Sequence, residues 1–202
     1  MDHRPTRHIF ALLGAIALFL WNPASAEERP QVARTARMVG LGGSLTGIAD
    51  DAAATFWNPS GISTLQRQEI VFSYADRYGL GLQNSEVGYV FPMFETHAVG
   101  LNWTREGFSD DELKDDLQVF NVAYALQLHR SISLGLGGKF VLQSIDLDGE
   151  SLRSASGAGF DIGLLFNPKT GPLGKVRFGV TLQDIGGTKV RDDNTQFEEE
   201  IF

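Results

Sequence analysis

From about residue 69 onward, apolar and polar residues alternate one by one. Between Ser131 and Gln143 one set of positions holds Ile132, Leu134, Leu136, Gly138, Phe140 and Leu142, and the other holds Ser133, Gly135, Gly137, Lys139, Val141 and Gln143. From Gly157 to Phe166 the split recurs, with Ala158, Phe160, Ile162, Leu164 and Phe166 against Gly157, Gly159, Asp161, Gly163 and Leu165. Val176 to Gln183 sets Val176, Phe178, Val180 and Leu182 against Arg177, Gly179, Thr181 and Gln183, and Leu117 to Leu126 aligns Phe120, Val122, Tyr124 and Leu126. A period of two is the mark of a β-strand with unlike faces. The pattern predicts seven strands, near 69–75, 84–91, 97–104, 117–127, 131–145, 156–166 and 176–184.

A soluble sandwich alternates in the same way, with its apolar face inward. Repeated glycine on the polar face favours a barrel, because glycine weakens a strand unless something approaches its backbone closely, as in a crowded or plugged lumen. Several runs also reach the roughly 9–11 residues that a tilted strand needs to cross a bilayer. The connections point the same way: the turns Pro92–Thr96, Leu128–Arg130 and Asn167–Lys175 are mostly short, whereas Asp76–Gln83, Arg105–Asp116, Asp146–Ala155 and the tail from Ile185 are longer and carry most of the acid. The expected fold is therefore all-β, an antiparallel up-and-down transmembrane β-barrel of which about seven strands are present, preceded by a short helix-turn element. Its lumen-facing polar candidates are Lys139, Gln143, Asp161, Arg177 and Gln183, and Phe140, Leu142, Phe160, Ile162, Phe178 and Val180 are expected to face lipid.

The alternation also constrains one register. A two-residue type I′ turn at Asp148–Gly149 would set Lys139 opposite Ala158, which belongs to the apolar set. An odd loop or a bulge must absorb one residue, which makes Lys139 and Asp161 direct or diagonal neighbours on the lumen face.

Ahead of the strands, Asp50–Ser63 reads DDAAATFWNPSGIS. Asn58-Pro59-Ser60-Gly61 fits a type I turn position by position. Asp50 or Asp51 is expected to cap a short helix through Ala52–Ala54 that Pro59 ends, and Trp57 is expected to be buried. Gly40–Gly47, GLGGSLTG, leads into this element.

The first 26 residues read as a signal peptide: Arg4 and Arg7, an apolar run Ile9–Trp21, then Ala24-Ser25-Ala26. Removing Arg4, Arg7 and Asp2 takes 17 basic and 25 acidic residues to 15 and 24, a net charge of −9 that gives nucleic acid no attraction. There is no cysteine, so no disulfide and no thiolate metal site. No apolar run of about 18 residues follows the leader, which leaves the β-barrel as the membrane-spanning option. The expected organisation is a signal peptide 1–26, a plug-like segment 27–66 and an antiparallel barrel half 67–202.

Enzymatic chemistry finds no support in the inventory, so no catalytic residue, metal or cofactor is expected. His97 and His129 sit near strand ends without carboxylates at metal-ligand spacing, and are read as turn or interface histidines. GLGGSLTG has Leu45 where a dinucleotide fingerprint needs its third glycine, and Thr46 where a nucleophile elbow needs glycine. The adjacent acids Asp50-Asp51 and Asp192-Asp193 would point to opposite faces of a strand. The run DDELKDD, Asp110–Asp116, fits no EF-hand spacing and reads as a solvated loop.

The stretch GGSLTGIADDAAATFWNPSGIS resembles the N-terminal signature of FadL-like outer-membrane barrels, particularly the PorV/PorQ branch associated with type IX secretion. Asp50, Asp51, Trp57, Asn58, Pro59 and Gly61 carry the resemblance; Ser60 and Ile62 stand where alanine and leucine are usual. QDIGG at Gln183–Gly187 is similar to the end of a middle strand in that branch. The resemblance implies a monomeric barrel of about fourteen strands with the N-terminal segment tucked into or under the lumen, so the chain reads as the front half of such a barrel. It implies an outer-membrane location, contact with outer-membrane lipid, and a role in protein secretion or surface attachment with secreted cargo or other secretion components as partners. Two other readings stand beside it: a FadL-like channel for hydrophobic small molecules, and a soluble periplasmic β-sandwich that binds a partner.

Overall fold

The computed structural model describes residues 35–77, 79–110, 112–168, 176–185, 189–192 and 198–200, all within the compact unit Gln31–Phe202. The sequence-predicted signal peptide and most of the turn after the sixth strand lie outside the described residues.

Thr35 caps the first helix among the described residues, α1 (Ala36–Gly40), by accepting the N–H of Met38 on its side chain at 3.2 Å. Gly42 and Gly43 follow with φ of +63° and +81°, a left-handed exit from the helix. Helix α2 (Ala54–Trp57) begins two residues later than the sequence suggests, although Asp51 still accepts the Ala53 N–H at 3.1 Å. Trp57 is its last residue, and the chain passes through Asn58 into a 3-10 segment, Pro59–Thr64. The Gly61 N–H bonds the Asn58 carbonyl at 3.0 Å, as the four-residue turn requires.

Among the described residues nine strands follow: β1 (Glu69–Arg77), β2 (Leu82–Met93), β3 (His97–Ser109), β4 (Leu113–His129), β5 (Ile132–Leu147), β6 (Glu150–Phe166), β7 (Phe178–Leu182), β8 (Lys189–Asp192) and β9 (Glu198–Glu200). β1 to β6 pair antiparallel with their sequence neighbours, and β7 and β8 both pair with β6. The result is the curled, up-and-down half-barrel sheet that the alternation predicts.

The strands outrun the sequence expectation on one side. The supposed long acidic loop Arg105–Asp116 is mostly the ends of β3 and β4, and Asp146–Ala155 shrinks to the turn Asp148–Gly149. The asymmetry of short turns and long loops thus becomes an asymmetry of strand ends. Cross-strand pairing extends beyond the apolar positions: Arg105 chelates Asp116 through three hydrogen bonds, and such pairs favour strand over loop despite the charge.

The β5–β6 register resolves the parity conflict through a bulge. Asp148 and Gly149, with φ of +52° and +81°, form the tight turn, and Leu147 faces Glu150. Ile145 then faces Arg153, so one extra residue of β6 is absorbed beside Ile145 and Asp146. From there on Lys139 faces Gly159, and Asp161 is its diagonal neighbour.

Alternation divides the sheet cleanly. On the convex face Ile70, Phe72, Leu101, Val122, Leu136, Phe160 and Leu164 are exposed, as are all six residues expected to point outward. On the concave face Asn84, Glu86, Asn102, Thr104, Asn121 and Asp161 are buried alongside small residues. What buries them is the segment before β1: Ala49, Ala52, Ala54 and Ile62 pack on Val90, Ala98, Ala123 and Ala125. Among the described residues no second sheet faces this one.

Candidate functional site

The seat of the N-terminal plug in the concave face brings the functional candidates together. Its 3-10 segment contacts β2 to β6. At the centre lies Asn58, with 0 % exposure and every polar atom engaged. Its Nδ2 donates to the Thr46 carbonyl at 2.8 Å and to the Leu164 carbonyl of β6 at 3.4 Å, while Oδ1 accepts from the Ser60 N–H and hydroxyl at 3.2 and 2.6 Å. One amide thereby ties the glycine-rich lead, the turn and the wall. A burial this complete is tolerable for an amide only when its donors and acceptors are all met.

The glycines of the inner face explain themselves here. A Cβ on Gly163 would overlap Asn58 Oδ1, and one on Gly135 would overlap the backbone of Pro59 and Ser60. The close approach of plug to wall, inferred from repeated glycine, is present at both positions. Gly61 serves the plug itself: a Cβ there would strike the Ala49 carbonyl.

Beside the turn lies a buried ion cluster. Lys139 Nζ sits 3.2 Å from Asp161 Oδ1 and 3.1 Å from Asp184 Oδ1, with the three side chains 7 %, 4 % and 8 % exposed. The Phe56 ring stands 5.8 Å from the same ammonium. Asp184 reaches inward because β7 stops at Leu182: the chain turns through a positive φ of 55°, and the Asp184 N–H donates to Asp161 Oδ1 at 2.9 Å. Sequence reasoning placed Lys139 and Asp161 together but left Asp184 in a continuous strand. No alternation signal marks a strand that breaks in order to turn one acid inward.

Gln183 and Arg177 close the same seam from β7 and its approach. Gln183 Nε2 donates to the Phe56 carbonyl at 3.0 Å, and Arg177 bonds the Ile48 carbonyl at 3.0 Å and Asp50 at 3.3 Å. Gln143 stands apart from the plug, its amide 3.5 Å from Asp115. Asp50 and Asp51, expected to diverge as they would on a strand, lie in a turn and converge: Arg37 bonds both, at 2.8 Å to Asp50. Its hydrogen bonds to Asp51 and then Asp50 raise the Arg37 guanidinium further above its ordinary range. Trp57 is buried at 8 % exposure among Met38, Leu45 and Ala53, as expected. His129 accepts the Ser131 N–H in its turn, and His97 meets the Tyr124 hydroxyl.

Sequence reasoning also missed the polar inner positions of the earlier strands. Glu86 faces Thr104 across β2–β3 and receives a hydrogen bond from Asn102 at 3.0 Å; Asn102 faces Asn121, and Asn121 faces Lys139. The signal was available in the parity of Asn84, Glu86 and Gly88, and of Gly100, Asn102 and Thr104. Chemically the site can clamp a plug and hold charge in a covered space; among the described residues no group of three or more His, Cys, Asp or Glu side chains forms a metal-binding cluster.

A half-barrel wall with an N-terminal plug locked into its concave face is the class that this fold and site define. Comparison with family models and with curated proteins finds no match for the chain.

Proposed function

We propose that the chain forms the wall and plug of an outer-membrane β-barrel of the PorV/PorQ type, a component of protein secretion or surface attachment. The observation that carries this reading is the pairing of an apolar convex face with a filled polar concave face. In β5 the outward positions run apolar from Ile132 to Leu142, with Gly138 between, and then turn polar at Ser144 and Asp146. Ten residues at about 3.3 Å each, tilted by about 40°, give an apolar band of roughly 25 Å, the height of an outer-membrane barrel's lipid belt. Phe166, opposite Ile132, lies toward one margin, and Trp103 and Phe140, both opposite Phe120, lie toward the other, where aromatic girdles belong.

A surface patch of this extent has no place in water without a partner. The resemblance of GGSLTGIADDAAATFWNPSGIS to the PorV/PorQ signature supplies the choice among barrels, and its residues are the ones seated against the wall. A channel for hydrophobic small molecules calls for an open greasy pocket, whereas the inner face here mixes amide, hydroxyl and charged residues with aliphatics such as Val90, Val141 and Leu165, and the plug packs on Val90.

Two experiments test the two levels. Outer-membrane fractionation and heat-modifiable migration of the full-length protein should show an assembled barrel, and Phe160→Arg should abolish both; a soluble, heat-insensitive wild type would refute the membrane reading. Crosslinking in envelopes should capture secreted proteins or secretion components. Fatty-acid uptake that depends on the protein, with no such capture, would replace secretion by channel function.

A further inference from the structure

Glu86, Asn102, Thr104 and Asn121 form a continuous polar patch on the inner face of β2, β3 and β4, with exposures of 2 %, 4 %, 0 % and 4 %. Besides the Asn102–Glu86 bond, four of their buried polar atoms are unmet: Glu86 Oε2, Asn102 Oδ1, Thr104 Oγ1 and Asn121 Nδ2 have no partner. Each such atom is costly to leave bare, and a carboxylate most of all. The plug covers the patch. A Cβ on Gly88, on the same face as Glu86, would lie 3.1 Å from the Asn102 amide nitrogen and 3.4 Å from the Ala52 carbonyl of the plug.

Charge sharpens the requirement. Lys139 is the buried cation of this belt and is already committed to Asp161 and Asp184. Glu86 has no cation of its own among these contacts, and the nearest plug acid, Asp51, is already taken by Arg37. A buried carboxylate so placed takes up either a proton or a positive charge.

We propose that this patch is a binding site for a hard cation, best matched by Ca²⁺, held by the Glu86 carboxylate with the side-chain oxygens of Asn102 and Thr104 beneath the plug. All three donors are oxygens, which suits Ca²⁺ or Mg²⁺ and not the softer metals. Ca²⁺ accepts irregular sets of about 6–8 oxygens and completes them with water, whereas Mg²⁺ demands near-octahedral geometry that side chains fixed on a sheet do not offer. The Asn121 amide is left to donate to a water of the cation's shell. One carboxylate among neutral oxygens places the affinity in the weak class, on the order of 10⁻⁴–10⁻³ M. A site of this composition leaves no spacing motif, which is why the sequence suggests no metal. The inference stands on the plug and wall alone and does not depend on the proposed role in secretion.

The test is thermal unfolding of the purified full-length chain, followed by tryptophan fluorescence after chelation and then with about 10 mM Ca²⁺, Mg²⁺ or Na⁺ at equal ionic strength. Ca²⁺ should raise Tm by several degrees and more than the other two. Glu86→Gln, which keeps the bond to Asn102, should lose the response, Thr104→Val should weaken apparent Ca²⁺ affinity at least tenfold, and Glu150→Gln on the exposed hairpin should respond like the parent. If Glu86→Gln does not fold, tryptophan-sensitised Tb³⁺ emission of the parent and Thr104→Val decides: equal Ca²⁺ displacement from both overturns the site. A parent indifferent to Ca²⁺, or a Glu86→Gln protein that keeps the full response, overturns it as well and leaves Glu86 a protonated, structural acid.

Discussion

Asn58, Lys139 and the two wall glycines each owe their identity to a neighbour far along the chain. Gly163→Val should overlap Asn58 Oδ1 and push the plug off its seat, at about 1–3 kcal/mol for overpacking; limited proteolysis within residues 40–64 should then accelerate while the sheet persists by circular dichroism. Lys139→Met strands two buried carboxylates and should destabilise by about 3–5 kcal/mol in denaturant unfolding. Adding Asp161→Asn should restore part of that loss, since one stranded charge is removed; a double variant as unstable as the single would show that the lysine acts by packing under Phe56 instead. The sequence exposed half of this cluster. Lys139 and Asp161 were readable from parity, whereas Asp184 depends on where a strand stops, and stopping is set by tertiary hydrogen bonds that no local pattern carries.

Strands and turns were legible wherever one face is apolar and the other is not. The β5–β6 hairpin is the clearest case: face matching demanded one absorbed residue, and the bulge opposite Ile145 and Asp146 supplies it. The ends of β3 and β4 were less legible, because Arg105, Lys114, Asp115 and Asp116 look like a solvated loop until the cross-strand partner of Arg105 is known. Deleting Leu152, the absorbed residue, should remove the bulge and leave a regular two-residue hairpin with the same pairs beyond it. With no native cysteine to interfere, Ser144→Cys/Ser154→Cys, a directly facing pair, should crosslink in the parent and in the deletion background alike. Loss of the crosslink in the deletion would mean that the bulge itself, not the matching of faces, sets the register.

For the molecule as a whole, the division between convex and concave faces matters more than any single contact. If the convex band lies in lipid, the effect of a charge there must depend on depth. Val122→Arg and Ile162→Arg, near the middle of the band, should cost about 2–4 kcal/mol, and Ser156→Arg, on its polar margin, about 0–1 kcal/mol. Unfolding from vesicles measures the gradient; equal effects at all three positions would remove the bilayer from the explanation. The concave face was read from alternating small and polar residues, with its glycines pointing to a close neighbour, and the signature segment packs there. That link was available because glycine without a backbone role has few reasons to recur on one face of a strand.

The plug also imposes an order of events. Asn58 bonds Leu164 across 106 residues and Arg177 bonds Ile48 across 129, although the plug precedes every strand that it touches. Hairpins between neighbouring strands close short loops, whereas seating the plug closes the longest loops in the unit and is entropically the slower step. The segment made first is thus among the last to find its place, and until then the polar inner wall stands open to water while the half-barrel is already curled. A refolding experiment that follows Trp57 should therefore lag one that follows strand formation, and the interval between them is the time during which the wall can take up whatever the plug will later cover.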